Sequence, residues 1–274
     1  MATDVDAQRF WGPVDANIQW CEEDYAVSPY IAEFWNTLSS LYLVVLGIFG
    51  IIMVRRKAST ELRFVFCWSS LMVVGIGSTL FHATMRYHAQ VLDELPMVLG
   101  NLSILFALMD NSGVSEKRQG QSQILLQRWL PPCMVLWGVF STIMYFAFPE
   151  AYLVFIFLYG LPVLLIIYYS LKLVIRKRSH RMGVILRRCF TLSLCLYGFG
   201  FILWNLEHIL CPHVQNLQLH AWWHLFAGLG THFLLLFTVV NRLHELKAEG
   251  IRKGLLILPY VEKLGATRHD PREK

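Results

Sequence analysis

His220 and His224 stand four residues apart in the run HAWWH, a spacing that on an α-helix turns both rings to one face, where they can grip a single metal ion. Ser78 and His82 have the same relation in GSTLFH, and Asp93 and Glu94 lie just ahead of Pro96 in LDELPM. If these segments meet, three imidazoles with a fourth position open to water make the ligand set of a catalytic zinc ion, which lowers the pKa of bound water to about 7 and polarises a carbonyl. Asp93 is then placed to take a proton from the water and pass it to a leaving group, and Ser78 to reach the water or a developing oxyanion. Each feature alone has a plainer reading. HxxxH in an apolar helix also serves as an interhelical hydrogen-bonding pair, Asp93 as a helix N-cap, and Ser78, Gly75 and Gly77 as small residues that let helices approach closely. The coincidence of all of them at one depth favours a metal site.

That coincidence depends on the elements carrying them. The chain has 274 residues, of which 55% are hydrophobic and 16% charged, and a mean hydropathy of +0.47, a balance that excludes an ordinary water-soluble domain. Seven segments without Lys, Arg, Asp or Glu (34–54, 64–81, 95–109, 129–149, 151–171, 189–206 and 221–240) have the apolar character of membrane helices, the third being the shortest. The expected fold is an all-α membrane protein, a bundle of seven transmembrane helices. With the N-terminus lumenal or extracellular and the C-terminus cytosolic, 22 of the 24 Lys and Arg residues fall on the cytosolic side, leaving only Arg9 and Arg86 opposite. This segregation by membrane side, rather than onto one face, argues against nucleic acid as the partner of a chain of net charge +5. The end of span two, the start of span three and the start of span seven then share the non-cytosolic leaflet, bringing three histidines and two acids together. Ionisable groups buried at that depth indicate function. His88 and His213 are expected in loops, and His208 and His232 in structural roles.

Three regions follow: an acidic lumenal head, residues 1–33; a transmembrane catalytic domain, 34–243; and a basic cytosolic tail, 244–274, read as either an interfacial segment or plain disorder. No uncharged apolar run of signal-peptide length precedes the first span. The head carries Gln19, Glu22, Glu23, Asp24 and Glu33, hard oxygen donors of the type calcium takes, although their spacing is not that of an EF-hand loop and the residues alone favour a solvated acidic head. Of six cysteines only Cys21 and Cys211 fall on the non-cytosolic face, where a disulfide is permitted; two free thiols are the alternative.

Four motifs in order, YIAEFWNT from Tyr30, GSTLFH, DELPM and HAWWH, resemble those of the alkaline ceramidases, in the seven-span hydrolase superfamily that also contains the adiponectin-type receptors. The resemblance spans all seven segments. It implies a zinc amidase that hydrolyses ceramide to a sphingoid base and a fatty acid in endoplasmic reticulum or Golgi membranes. Its zinc ligands fall on His82, His220 and His224, and its water-orienting pair on Ser78 and Asp93. Its calcium site falls on Gln19, the Trp20 carbonyl, Glu22, Asp24 and Glu33, with Gln for the family's first Asp and Asp for its Asn. Those two departures cancel in charge and keep oxygen donors, and the Cys21–Cys211 pair matches the family's bridge. Competing expectations are an adiponectin-type receptor, whose N-terminus is cytosolic, a transporter using Asp93 and Glu207 as a proton relay, and a lipid esterase sharing the zinc box.

Overall fold

The computed structural model describes residues 10–58, 61–110, 121–177 and 181–245. The tail beyond residue 245, and with it the GLLILPYVEKLG segment, lies outside the described residues, as does the head before Phe10. Seven helices are long and apolar enough to cross a membrane. They are α1 (Phe34–Met53), continued by one π-type turn (Val54–Ala58), α2 (Leu62–Thr84), α3 (Tyr87–Met109), α4 (Gln121–Ala147), α5 (Tyr152–Arg176), α6 (Arg181–Val214) and α7 (Leu219–Glu245). No strand occurs among the described residues; the head contributes one isolated bridge, Ser28 to Ile31.

The helices α1, α2, α3 and α7 enclose the main core, in which Leu46, Trp68, Leu235 and Phe237 are fully buried. The outward sides of α4 and α5 are apolar too: Leu136 is 68% exposed and Leu153 81%. Such surface has no place in water and meets lipid instead, which makes the chain a multi-pass membrane protein.

Several helices run past the charged residues expected to bound them, α4 starting at Gln121 and α6 at Arg181, and two such boundaries bear on the site. The third helix starts at Tyr87 rather than 95, so Asp93 and Glu94 sit two turns inside it and Asp93 is not an N-cap. A charged residue ends an apolar run but does not end a helix whose interior side faces a polar site. His88 accordingly lies in α3 and not in a loop. Likewise α6 runs to Val214, well past 206, with a break at Leu210 (φ −114°, ψ 18°), and so carries Glu207, Cys211 and His213 on helix. Pro212, which has no N–H to give the preceding turn, accounts for a break there.

Close contact between α2 and α3 has a specific cause. Pro96 cannot donate to the Leu92 carbonyl four residues before it. Gly77 faces that carbonyl so closely that a Cβ would lie 1.9 Å from Leu92 O and 2.8 Å from the Asp93 nitrogen. The packing role expected of Gly77 therefore holds, and it presses the neighbouring Ser78 toward Asp93. Gly75 does the same against α1, where a Cβ would meet Val44 N at 2.7 Å.

Candidate metal centre

Helix periodicity delivers His82 from the last turn of α2 and both His220 and His224 from the first two turns of α7. Each of the three offers a ring nitrogen, and those nitrogens all lie within 4.8 Å of one another, in a group where every residue is buried. His82, His220 and His224 are 0%, 3% and 5% exposed. Among the described residues this is the one group of three His, Cys, Asp or Glu side chains close enough to hold a metal ion.

Two of the three imidazoles have a hydrogen-bonding oxygen at Nδ1. For His82 it is Glu33 Oε2, at 2.5 Å. For His224 it is Ser39 Oγ at 2.8 Å, with Ser40 Oγ at 3.3 Å. His220 Nδ1 has no hydrogen-bond partner; Glu207 Oε2 lies 3.8 Å from it, and Trp20 stacks on the ring at 3.8 Å between centroids. A partner on Nδ1 fixes ring and tautomer and leaves Nε2 to ligate. His82 Nε2 is buried with no hydrogen-bond partner, a costly state for a polar atom unless a metal takes it. Three nitrogen ligands with oriented outer partners fit a transition metal of the zinc type.

The backbone explains how Glu33 reaches His82. Just before α1 the chain docks on the end of α2 through Ala32 N to Ala83 O (3.0 Å) and Glu33 N to His82 O (2.9 Å). Glu33 is fully buried, also accepts from Asn36 Nδ2 at 3.0 Å, and keeps Oε1 without a partner. Burial raises its pKa to about 8, opposed by the Asn36 hydrogen bond and reinforced by the charge of Asp24.

Beside the triad, the Ser78 hydroxyl hydrogen-bonds Asp93 and lies 3.0 Å from Ser40 Oγ, the hydroxyl that also approaches His224. Ser78, Asp93, Glu94, His220 and His224 open onto a cavity of about 510 Å³ whose other walls are mostly apolar, among them Leu43, Leu71, Met97, Phe155, Ile167 and Phe201. A volume of that size suits a small-molecule or lipid ligand. Gly160 and Gly198 line it where α5 and α6 face each other, and a Cβ on either would meet nothing within 4 Å.

In the head, Glu22 does something the sequence did not disclose: its two carboxylate oxygens accept the Trp35 and Asn36 N–H groups, at 2.7 and 2.9 Å, and so cap α1 from outside it. Its pKa is raised by burial, those backbone hydrogen bonds opposing, with a further increment from Glu33. Gln19 is exposed, and Asp24 is half-buried. Cys21 and Cys211 form a disulfide with Cα atoms 5.4 Å apart, tying the head to the end of α6, and the Cys21 N–H also reaches Glu207 Oε1 at 3.2 Å.

Reading residue types missed Glu33, Ser39 and Ser40 as groups that orient the histidines, and Glu207 as the acid nearest His220. One signal was present: Asn36, Thr37, Ser39 and Ser40 crowd polar atoms into the first turns of an otherwise apolar span. His232 keeps to a structural role, buried against Trp68 at 5.0 Å between ring centroids.

Helices, imidazole cluster and apolar cavity define a multi-pass membrane protein with a candidate metal centre beside an apolar cavity. The family model for ceramidase matches residues 12–262, and the chain belongs to that family. It is 32% identical over 257 residues to alkaline ceramidase 3 of Mus musculus, covering 88% of this chain and 90% of the relative. Identity to an alkaline ceramidase of Arabidopsis thaliana is 28%, over 92% of this chain and 94% of the relative. To alkaline ceramidase 1 of Homo sapiens it is 24%, over 91% and 95%. The chain is thus an enzyme of the ceramidase type, embedded in a membrane and acting on ceramide.

Proposed function

We propose that this enzyme is a zinc-dependent amidohydrolase that cleaves the amide of ceramide to release a sphingoid base and a free fatty acid. The observation that carries the metal dependence is the buried trio His82, His220 and His224, two of its rings hydrogen-bonded at Nδ1, beside Asp93 and Ser78 at an apolar cavity. His82, His220 and His224 would hold the ion through Nε2, and a bound zinc supplies Lewis-acid polarisation and a nucleophile at neutral pH. Asp93 accepts the proton of the attacking water and delivers it to the amide nitrogen as the C–N bond breaks, so that the base departs as a neutral amine. Ser78, held between Asp93 and Ser40, fixes the orientation of that carboxylate. The apolar walls take the alkyl chains and exclude bulk water, and the open space at Gly160 and Gly198 gives lipid a lateral way in between α5 and α6. Release of sphingoid base from a panel of ceramides by the purified protein tests this; no release from any of them refutes it.

We further propose calcium in the head, on Gln19, the Trp20 carbonyl, Glu22, Asp24 and Glu33. Supporting it are carboxylates held together at Glu22, Asp24 and Glu33, burial that disfavours the ionised forms of Glu22 and Glu33, and the open Oε1 of Glu33. Because the other oxygen of Glu33 is on His82, a cation there would stiffen the metal centre. Calorimetry on metal-stripped protein is expected to show calcium binding that Glu33→Gln weakens; no heat from the wild type removes the site.

The three-region division, with the head lumenal and the tail cytosolic, rests on the distribution of Lys and Arg. A glycosylation tag inserted near Ala2 should be modified, and an unmodified tag beside a modified C-terminal one would reverse the orientation. Residence in the endoplasmic reticulum or Golgi follows the family, and fractionation of tagged protein into other membranes would exclude it.

A further inference from the structure

Glu94 has no part in the chemistry above, yet it is among the most carefully held side chains of the cavity. It is 5% exposed and lines the same cavity as Asp93. Its Oε2 accepts from Tyr145 Oη of α4 at 2.6 Å, and its Oε1 from Gln90 Nε2, one turn back on α3, at 3.1 Å. Gln90 is itself fixed by the head, accepting the Asn17 N–H at 2.8 Å. Both partners of Glu94 are donors, and a carboxylate has about four acceptor sites, so each oxygen keeps capacity toward the cavity. No Lys or Arg is among the described residues lining that cavity. A rigid carboxylate with no cation beside it in an apolar wall is expensive, and the cost is recovered when a ligand donates to it.

Resting on the ceramide-hydrolase reading, we propose that Glu94 is a specificity-determining residue whose carboxylate accepts hydrogen bonds from the substrate hydroxyls that flank the amide nitrogen. In a sphingoid base the primary and secondary hydroxyls are each borne on a carbon bonded to the one that carries the nitrogen. A group that reads them must therefore sit beside the group that protonates that nitrogen. Glu94 meets this condition because it and Asp93, consecutive on α3, both line the one cavity. The contact admits amides with a free hydroxylated head and disfavours those in which the hydroxyls are missing or capped.

The test uses the purified full chain and four amides sharing one acyl chain: N-acylsphingosine, its analogue without the primary hydroxyl, its analogue without the secondary hydroxyl, and a long-chain N-alkyl amide lacking both. Amine release gives kcat/KM for each. Wild type is expected to favour N-acylsphingosine over the bare amide by about 100-fold or more. In Glu94→Leu that ratio should collapse to under about tenfold, with Glu94→Gln, which keeps one acceptor, in between. The single-deletion analogue that suffers more in the wild type identifies the hydroxyl concerned. Variants that lower kcat/KM for all four amides by one common factor have a merely structural residue at 94, and the inference falls. It falls equally if wild type shows no preference. Should Glu94→Leu not be recovered as folded protein, the isosteric Glu94→Gln decides by the same ratio. A wild type that cleaves none of the four overturns the parent reading and this one with it, an outcome distinct from an unchanged ratio.

Discussion

Asp93→Asn is expected to lower kcat for ceramide hydrolysis by about 10²- to 10⁴-fold while leaving the metal content unchanged, the range lost when a positioned general acid-base is removed. Asparagine keeps the size of the side chain and an acceptor for Ser78, so the 8%-exposed site is not emptied and the histidines, which belong to other helices, are not disturbed. It cannot take a proton from water. Steady-state turnover with metal analysis on the same sample checks this, and a loss below about tenfold would remove Asp93 from the proton path. If metal is lost as well, Asp93 is acting on the site's structure instead.

Gly77→Val is expected to remove nearly all activity without touching a reacting group. A Cβ there would stand 1.9 Å from Leu92 O and 2.4 Å from Leu92 C, atoms of α3 backbone that cannot rotate away. The helices must part by more than 1 Å, and Ser78 and His82 travel with α2 while Asp93 stays with α3. A misplacement of that size costs about 100-fold in rate even where the fold survives. Gly138→Ala provides the contrast: its Cβ would meet Leu99 and Leu102 side chains at 3.4 and 3.7 Å, ordinary contact, and alanine favours helix over glycine by about 1 kcal/mol. Thermal unfolding and turnover of both variants separate the two cases, and a Gly77→Val enzyme of wild-type activity would show that close α2–α3 packing is not what positions the site.

How much of this was legible beforehand follows from what each signal encodes. Seven spans were readable because a run of apolar residues long enough to cross a bilayer has no soluble alternative, and all seven are present. His220 and His224 were readable because i, i+4 spacing fixes a shared face, and His82 because alternation of spans places the end of α2 beside the start of α7. The same alternation singled out Cys21 and Cys211, which are bridged. Where α3 begins was not readable from hydropathy, since Asp93 and Glu94 look like a boundary when they are the polar lining of a cavity. Glu33 was legible only as an oxygen donor of the acidic head, and its bond to His82 depends on a backbone docking of the head on α2 that no local pattern states. Glu207 and the two serines on His224 were invisible for the same reason: they act across helices, and the sequence carries no register between helices.

In the proposed mechanism the buried histidines hold the metal that makes the enzyme active. Zinc content and sphingoid base release, measured side by side on purified wild type and His220→Ala, test it. Zinc bound by the wild type near one equivalent, with both metal and turnover lost in the variant, is the result expected. Turnover that persists in a variant without zinc, or a wild type that hydrolyses ceramide fully after chelation, would contradict it.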